Sequence, residues 1–302
     1  MIQALREDAR LRRWTLLAPA MLFIGFFMLA PIGLMAYVSV LERGEFGGVE
    51  WGVFSADAYW SFFFERELDG SVVINTDYMQ IFLRSFGLSL ITTVLALLVG
   101  FPTALYMALQ PERYRNLLVF LVTIPFWTNL LVRNYAWILL LRNNGLIDAS
   151  LSKLGITSEP INVLYTPFAT GIGLTYSFLP FMVLPIYASL EKLDFRLVEA
   201  AFDLGADRLR ALFRVIVPLS APGIFAGCIL VFVPCLGAYV TPELLGGSKS
   251  MMIGNLIQSQ FGASRNWPFG AALAFALLAI VLLAMTVYAL RLRGREPGEG
   301  QA

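Results

Sequence analysis

The sequence predicts an all-α, polytopic membrane protein in which six transmembrane helices form a bundle. Of its 302 residues, 58% are hydrophobic and only 14% are charged, whereas soluble domains carry about 25% charged residues. A helix needs about 20 apolar residues to cross a bilayer, and six uncharged apolar stretches are long enough or nearly so. These stretches are 14–41, 85–111, 116–132, 160–190, 215–242 and 266–290.

The first stretch resembles a signal peptide because Arg10, Arg12 and Arg13 precede it. Its apolar run is too long for a signal peptide and lacks a clear small-residue cleavage site. We therefore expect an uncleaved first helix. The outer loop 42–80 follows, and its aromatic and acidic residues indicate short interfacial or folded structure. Aromatic side chains at this position serve as membrane anchors or contact an extracytoplasmic partner.

The third stretch continues past a single arginine, Arg133, to residue 141. We expect one span there. We also expect one transmembrane domain over residues 1–302, with a core bundle at 81–291. The predicted cytoplasmic parts are an N-terminal segment at 1–13, a loop at 191–214 and a tail at 292–302.

The distribution of Lys and Arg predicts that both termini are cytoplasmic, since cytoplasmic loops carry an excess of these residues. With the N-terminus inside, fourteen cations lie in cytoplasmic segments and six in outer loops. The fourteen are Arg6, Arg10, Arg12, Arg13, Arg113, Arg115, Lys192, Arg196, Arg208, Arg210, Arg214, Arg291, Arg293 and Arg295. The six are Arg43, Arg66, Arg142, Lys153, Lys249 and Arg265.

The loop at 191–214 has the pattern of two short helices separated by a glycine. Asp194 can cap a helix that begins at Phe195, and Asp207 can cap a second helix. Gly205 stands where the first helix would end, because glycine tolerates a left-handed conformation. The first helix has an apolar stripe of Leu197, Ala200, Ala201 and Leu204, and the second has Leu209, Leu212, Phe213 and Ile216.

We expect this helix–glycine–helix element to lie across the membrane surface. A short helix that exposes small residues can insert into a cleft of a soluble partner. An amphipathic helix can equally rest on the lipid without a partner. The residues alone leave both functions open.

The loop resembles the Glu-Ala-Ala loop of ABC importer permeases. That family carries Glu-Ala-Ala, three residues, Gly, nine residues, and then Ile-any-Leu-Pro. Residues 199–201, Gly205 and residues 215–218 fall at these spacings. The two departures, Val215 for Ile and Val217 for Leu, are conservative.

Further stretches are similar to those of spermidine/putrescine importer permeases. They read Ile-Pro-Phe-Trp-Thr-Asn at 124–129, Thr-Pro-Glu-Leu-Leu-Gly-Gly-Ser at 241–248, and Asn-Trp-Pro at 266–268. Residues 131–137, 142–146 and 252–254 add to the likeness. Together with the loop, these stretches span much of residues 85–290.

The resemblance implies a type I ABC importer permease fold and a non-catalytic permease subunit in a bacterial inner membrane. It implies that the loop docks a separate ATPase through Glu199, Ala200, Ala201, Asp203, Gly205 and Ala206. The implied partners are an ATPase dimer, a second permease subunit of a different sequence, an extracytoplasmic solute-binding protein and membrane lipid. The expected cargo is a polyamine, with another small solute such as an amino-acid derivative as the alternative.

Arg133 is the costly residue of the predicted spans, since a charge near the bilayer centre costs about 2.5–3.5 kcal/mol on insertion scales. Either it faces the bundle, a water-filled cavity or a partner subunit, or it snorkels to the outer interface. A cation is a poor direct ligand for a polyamine. Pairing inside the protein is therefore the expected function if a polyamine is carried.

Candidate pathway residues surround Arg133 and the outer end of the fifth span. Aromatic rings can hold alkylammonium groups by cation–π attraction, and Asn offers a carbonyl acceptor; packing and interface anchoring are the alternative roles. Glu243 can attract cations or cap the next helix. The candidate pathway residues are Trp127, Asn129, Arg133, Asn134, Tyr135 and Glu243.

Other classes of protein are disfavoured by what the sequence lacks. A net charge of +1 and no histidine argue against a nucleic-acid partner and histidine-based catalysis. No carboxylate lies deep in a predicted span, whereas ion-coupled transporters use buried acidic groups. Residues 246–250 are not a phosphate loop, because glycines at motif spacing are missing. We expect no cofactor and no metal.

Overall fold

A computed structural model describes residues 2–66, 69, 71–155, 162–247 and 250–293. The predicted tail at 292–302 lies almost entirely outside this part, as do the start of the fourth predicted span at 160–161 and Lys249. The chain divides into two compact units. One unit comprises Met1–Asn75 and Ile257–Ala302, and the other comprises Thr76–Leu256.

Five helices are long and apolar enough to cross a membrane among the described residues. They lie at Leu17–Ser39, Thr76–Ala108, Pro167–Leu190, Arg208–Leu236 and Trp267–Thr286. A sixth candidate is a pair of helical segments, Glu112–Trp127 and Leu130–Lys153, which meet at an angle of 89°. The predicted all-α membrane bundle is confirmed with five such helices, and the count reaches the predicted six when the bent pair is taken as one span.

The third predicted span, expected as one segment that continues to residue 141, is broken in the structure. Helix α4 (Glu112–Trp127) ends before Thr128, whose backbone is extended, and helix α5 (Leu130–Leu141) starts after Asn129. The side chain of Asn129 accepts a hydrogen bond of 2.8 Å from the backbone nitrogen of Leu131. This N-cap satisfies a donor that a continuous helix would have bonded internally, so the apolar stretch breaks here.

The first unit contains helix α1 (Ile2–Ser39) and helix α12 (Trp267–Arg293), which pack together. After α1 in the chain, the predicted outer loop folds into two antiparallel hairpins and a short helix. Tyr37 of α1 stacks on Trp51 of the first hairpin, with ring centroids 6.3 Å apart. The elements of this loop are β1 (Leu41–Arg43), β2 (Val49–Phe54), α2 (Asp57–Phe63), β3 (Phe64–Arg66) and β4 (Val72–Ile74).

The second unit is built on three long helices that pack against one another. These are α3 (Thr76–Ala108), α7 (Pro167–Leu190) and α10 (Val217–Leu236). Met182 of α7 sits at their centre and is fully buried. A Cβ atom on Gly227 of α10 would lie 2.8 Å from the sulfur of Met182, and a Cβ atom on Gly100 of α3 would lie 2.9 Å from the Cγ atom of Met182. Small residues thus permit the close helix contacts typical of membrane bundles.

The remaining helices of the second unit are shorter. They are α6 (Leu146–Lys153), α8 (Arg196–Asp203) and α9 (Arg208–Ala211). Helix α11 (Ile253–Phe261) begins in this unit and runs past its end at Leu256. Two π-helical turns, Leu212–Ile216 and Pro242–Gly246, lie on either side of α10.

Candidate functional site

Helix α8 contains the Glu-Ala-Ala sequence of the predicted docking loop, and hydrogen bonds hold both of its ends. The carboxylate of Asp194 accepts a hydrogen bond of 3.1 Å from the backbone nitrogen of Arg196. Asp194 thus satisfies a donor at the start of the helix, as expected, but the N-cap position is Phe195, which makes no side-chain capping bond, and the helix begins at Arg196, one residue later than predicted. The Asp194 carboxylate also places a negative charge at the positive end of the helix dipole.

The C-terminal end of α8 is a Schellman motif centred on Gly205. This glycine has a φ of +83°, the left-handed conformation that side chains disfavour. Its nitrogen donates to the carbonyl oxygen of Phe202, and the nitrogen of Ala206 donates to that of Ala201, both at 2.9 Å. These are the two bonds that define the motif. The helix end predicted at Gly205 is confirmed.

One side of α8 is anchored and the other is open. Val198 is buried and belongs to the main hydrophobic core. Glu199, Ala200 and Asp203 are exposed, while Ala201 and Ala206 are half-buried. Leu197 and Leu204, at the two ends of the predicted stripe, are 51% and 89% exposed. The protein thus holds this helix rigidly and leaves an apolar face uncovered within the described chain.

A groove of about 540 Å³ adjoins the start of α8. It lies between the end of α7, the residues leading into α8 and the first part of α10. Its lining includes Lys192 and Asp194 together with the apolar residues Leu197 and Leu219. The groove enlarges the surface that a partner of α8 can contact.

The second half of the loop departs from the prediction. Asp207 does cap a helix, accepting a 2.7 Å bond from the backbone nitrogen of Arg210. That helix is not a separate element lying across the membrane surface, because it continues from Arg208 to Leu236 as one span. The π-helical turn before α10 accounts for this continuity: Val217 bonds to Leu212, five residues back, just before Pro218, which has no N–H to donate.

The candidate pathway residues of the broken third span point in different directions. Trp127, the last residue of α4, is 82% exposed, and Tyr135 of α5 is 57% exposed. Asn129 is exposed and serves as the N-cap described above. Asn134 is 1% exposed and donates to the carbonyl oxygen of Leu130 at 2.9 Å. The structure therefore does not bring these four side chains into one cluster.

Arg133 lies half-buried on the face of α5 that also carries Asn134 and Trp137. Trp137 packs edge-to-face on Tyr176 of α7, with ring centroids 5.7 Å apart. The Nε and Nη1 atoms of Arg133 are buried and have no hydrogen-bond partner among the described residues. Two of its nitrogen atoms are thus turned into the protein, which is the inward-facing alternative.

Glu243 is exposed and lies in the π-helical turn that follows α10. Its Oε2 atom accepts a hydrogen bond of 2.8 Å from the side-chain nitrogen of Asn255 in α11. The bond is to a side chain rather than to the backbone, so Glu243 does not cap the next helix. Asn255 and Tyr239 were absent from the predicted site; only the fold brings Asn255 to Glu243, whereas Tyr239 lies four residues before it and could have been found from that spacing.

Potential metal ligands do not gather in the described part of the chain, where no group of three or more Cys, Asp or Glu side chains could hold an ion. The geometry there consists of an exposed anchored helix, a broken span and a folded-back segment after α10.

The fold is that of a permease of an ABC importer. A chain from the crystal structure of a bacterial ABC transporter involved in the import of the acidic polysaccharide alginate matches with a TM-score of 0.66. The match covers 97% of this chain and 100% of that one, at 18% identity. A chain of the MetNI methionine ABC transporter matches with a TM-score of 0.52 over 73% of this chain and 99% of its own length, at 16% identity.

The family model described as "Binding-protein-dependent transport system inner membrane component" matches residues 96–294. The chain belongs to this family of inner membrane transport components, which are non-catalytic permease subunits.

Named relatives support this placement. The chain is 47% identical to the spermidine/putrescine transport system permease protein PotB of Haemophilus influenzae over 72% of this chain and 76% of the relative. It is 45% identical to PotB of Escherichia coli over 70% of this chain and 77% of the relative. It is 36% identical to the inner membrane ABC transporter permease protein YdcU of Escherichia coli over 70% of this chain and 71% of the relative.

Proposed function

We propose that this protein is one of two permease subunits of an ATP-driven importer of spermidine, putrescine or a closely related small cation. The observation that carries the proposal is the 47% identity with a spermidine/putrescine permease over 72% of the chain. The whole of residues 1–302 serves as a single permease domain. It lies in a bacterial inner membrane with both termini in the cytoplasm, as the excess of cations in the predicted cytoplasmic segments favours.

Helix α8 is the proposed docking element for an ATPase subunit. Glu199, Ala200, Ala201, Asp203, Gly205 and Ala206 form the contact, with Leu197 and Leu204 at its two ends. The rigid caps of α8 support this function, since an element held at both ends transmits a displacement instead of absorbing it. The exposed apolar face and the adjoining groove supply area that a soluble partner can bury.

The mechanism is alternating access. ATP binding closes a pair of ATPase subunits, the docked helices follow, and the two permeases open toward a loaded extracytoplasmic binding protein. Hydrolysis then returns the pathway to its inward-facing state. The second permease is a different chain, and the proposed pathway residues of this one are Trp127, Asn129, Arg133, Asn134, Tyr135 and Glu243.

The test is uptake by the purified complex reconstituted in vesicles. We expect ATP-dependent uptake of labelled spermidine or putrescine that requires the binding protein and is abolished by an excess of either unlabelled polyamine. The permease alone should hydrolyse no ATP. Uptake that excess spermidine and putrescine leave unchanged would overturn the polyamine assignment, and competition by amino-acid derivatives would then identify the alternative cargo class.

A further inference from the structure

The segment between α10 and α11 folds back on itself and is held by one side chain. Asn255 donates hydrogen bonds of 2.8 Å to the backbone oxygen of Tyr239 and to Oε2 of Glu243. Its own oxygen accepts a 3.3 Å bond from the backbone nitrogen of Met252. Both amide donors and the amide oxygen are thus used, and one buried residue connects three points of the segment.

The surroundings of Asn255 are rigid. The backbone nitrogen of Ile253 donates to Oγ of Ser85 in α3 at 2.8 Å, and both residues are fully buried. A Cβ atom on Gly254 would lie 2.6 Å from the carbonyl oxygen of Ala238. The backbone at Gly254, the residue before Asn255, therefore lies directly against the backbone at Ala238, the residue before Tyr239. This close contact fixes the position of the Asn255 amide.

Two side chains attached to this rigid frame are exposed. Tyr239 is 49% exposed, and Glu243 is exposed four residues later. The backbone nitrogen of Glu243 donates to the oxygen of Tyr239 at 3.0 Å, so Tyr239 lies at the start of the helical turn that contains Glu243. One nitrogen atom, that of the Asn255 amide, bonds both the Tyr239 oxygen and the Glu243 carboxylate, which keeps the two residues close together.

The chemistry of the pair suits an alkylammonium group. A carboxylate has about four lone-pair sites, and Asn255 occupies only one of them on Oε2. An aromatic ring beside a carboxylate adds cation–π attraction for the same cation.

We propose that Tyr239, Glu243 and Asn255 form a binding subsite for one ammonium end of the cargo. Glu243 supplies the charge, Tyr239 supplies the ring, and Asn255 is a positioning residue that fixes the carboxylate. This inference rests on the proposed function. It adds which residues of this chain would bind an ammonium group of the cargo.

The experiment uses the whole reconstituted complex with saturating loaded binding protein. Two quantities are measured for each variant: the rate of putrescine uptake, and the rate of ATP hydrolysis stimulated by the binding protein. We expect Glu243→Gln to lower uptake at least about ten-fold while the stimulated hydrolysis stays within two-fold, because the subsite acts on cargo and not on ATPase docking. Glu50→Gln, an exposed carboxylate on β2, is the matched control and should change neither rate.

The role of Asn255 is tested by a double-mutant cycle, which isolates the coupling between two residues. Asn255→Ser should lower uptake in the wild-type background and have no further effect in the Glu243→Gln background. Tyr239→Leu should lower uptake about two- to five-fold, as expected from an exposed cation–π contact, whereas Tyr239→Phe keeps the ring and should match the wild type. Equal effects of Asn255→Ser in both backgrounds would assign it a purely structural role and overturn its positioning role.

Failure of the inference and failure of the proposed function are distinguishable. A wild-type complex that carries no polyamine contradicts the proposed function. A wild-type complex that carries polyamine equally well with Glu243→Gln contradicts only the subsite. Should Asn255→Ser prevent assembly of the complex, Glu243→Gln still decides, because that side chain is exposed and its replacement leaves the buried frame intact.

Discussion

The segment around α8 and the segment between α10 and α11 are both short polar interruptions of an apolar bundle, yet they are held in opposite ways. The bonds that shape α8 connect residues two to five positions apart, from Asp194 to Ala206. The bonds that shape the second segment connect Asn255 to residues 12 and 16 positions away, and Ile253 to a residue 168 positions away.

The difference separates two kinds of functional surface. Helix α8 is shaped by its own chain, and its apolar face is uncovered among the described residues, as the proposed docking of an ATPase requires. The folded-back segment is shaped by the bundle, and it presents Tyr239 and Glu243 from a frame that has little freedom. Changes in the first segment should therefore affect coupling more than folding, and changes in the second should affect folding as well.

The largest expected effect is that of Gly254→Val. A side chain there would meet the carbonyl oxygens of Ala238 and Gly237 at 2.6 and 2.7 Å, and overpacking of this severity costs about 3 kcal/mol or more. We expect a severe loss of folded protein, measured as the yield after detergent extraction and the midpoint of thermal unfolding. The control is Gly87→Ala in α3, where nothing lies within 4 Å of the new atom; an equal loss in both variants would contradict the role of the close backbone contact.

A smaller effect is expected from Ser85→Ala. It removes the acceptor of the buried Ile253 nitrogen, and leaving a buried donor unpaired costs about 1–3 kcal/mol. One turn along the same helix, Ser89 is equally buried, but its hydroxyl oxygen accepts no backbone donor among the described residues, so Ser89→Ala should have a smaller effect. Thermal midpoints of the two variants in detergent measure this contrast, and a larger loss for Ser89→Ala would count against the long-range bond.

The smallest expected effect on stability is that of Gly205→Ala. An alanine held at a φ of +83° costs about 1–2 kcal/mol, and the space around the new atom is empty. We expect a folded complex whose uptake per ATP hydrolysed falls several-fold, because the end of the docking helix is displaced.

Gly155→Ala is the control for this prediction, since Gly155 has a φ of +69° and is also without neighbours within 4 Å. It carries the same backbone strain far from α8 in sequence, so uptake per ATP should be unchanged. The docking role would be contradicted by equal coupling in the Gly205→Ala and Gly155→Ala complexes.

The ends of α8 and the start of α9 could be predicted because each depends on residues within about one helical turn of the end that it satisfies. Asp194 and Gly205 act at the two ends of α8 and Asp207 acts at the start of α9, and their residue types indicate which helix end they serve. The five apolar helices and the bent pair followed likewise from apolar length. The predictions failed at the third span and at the second half of the loop because they did not weigh the cap at Asn129 and the π-helical turn before Pro218.

The sequence by itself determined the class of protein, the apolar spans and the two ends of α8, the proposed docking helix, because hydrophobicity and capping act over a few residues. The break before α5 and the π-helical turn before α10 have local signals at Asn129 and Pro218, but apolar length alone did not reveal them. Only the tertiary structure decided the connection of Asn255 to Tyr239 and Glu243, which lie 16 and 12 positions away, because such contacts exist only when the second unit has folded.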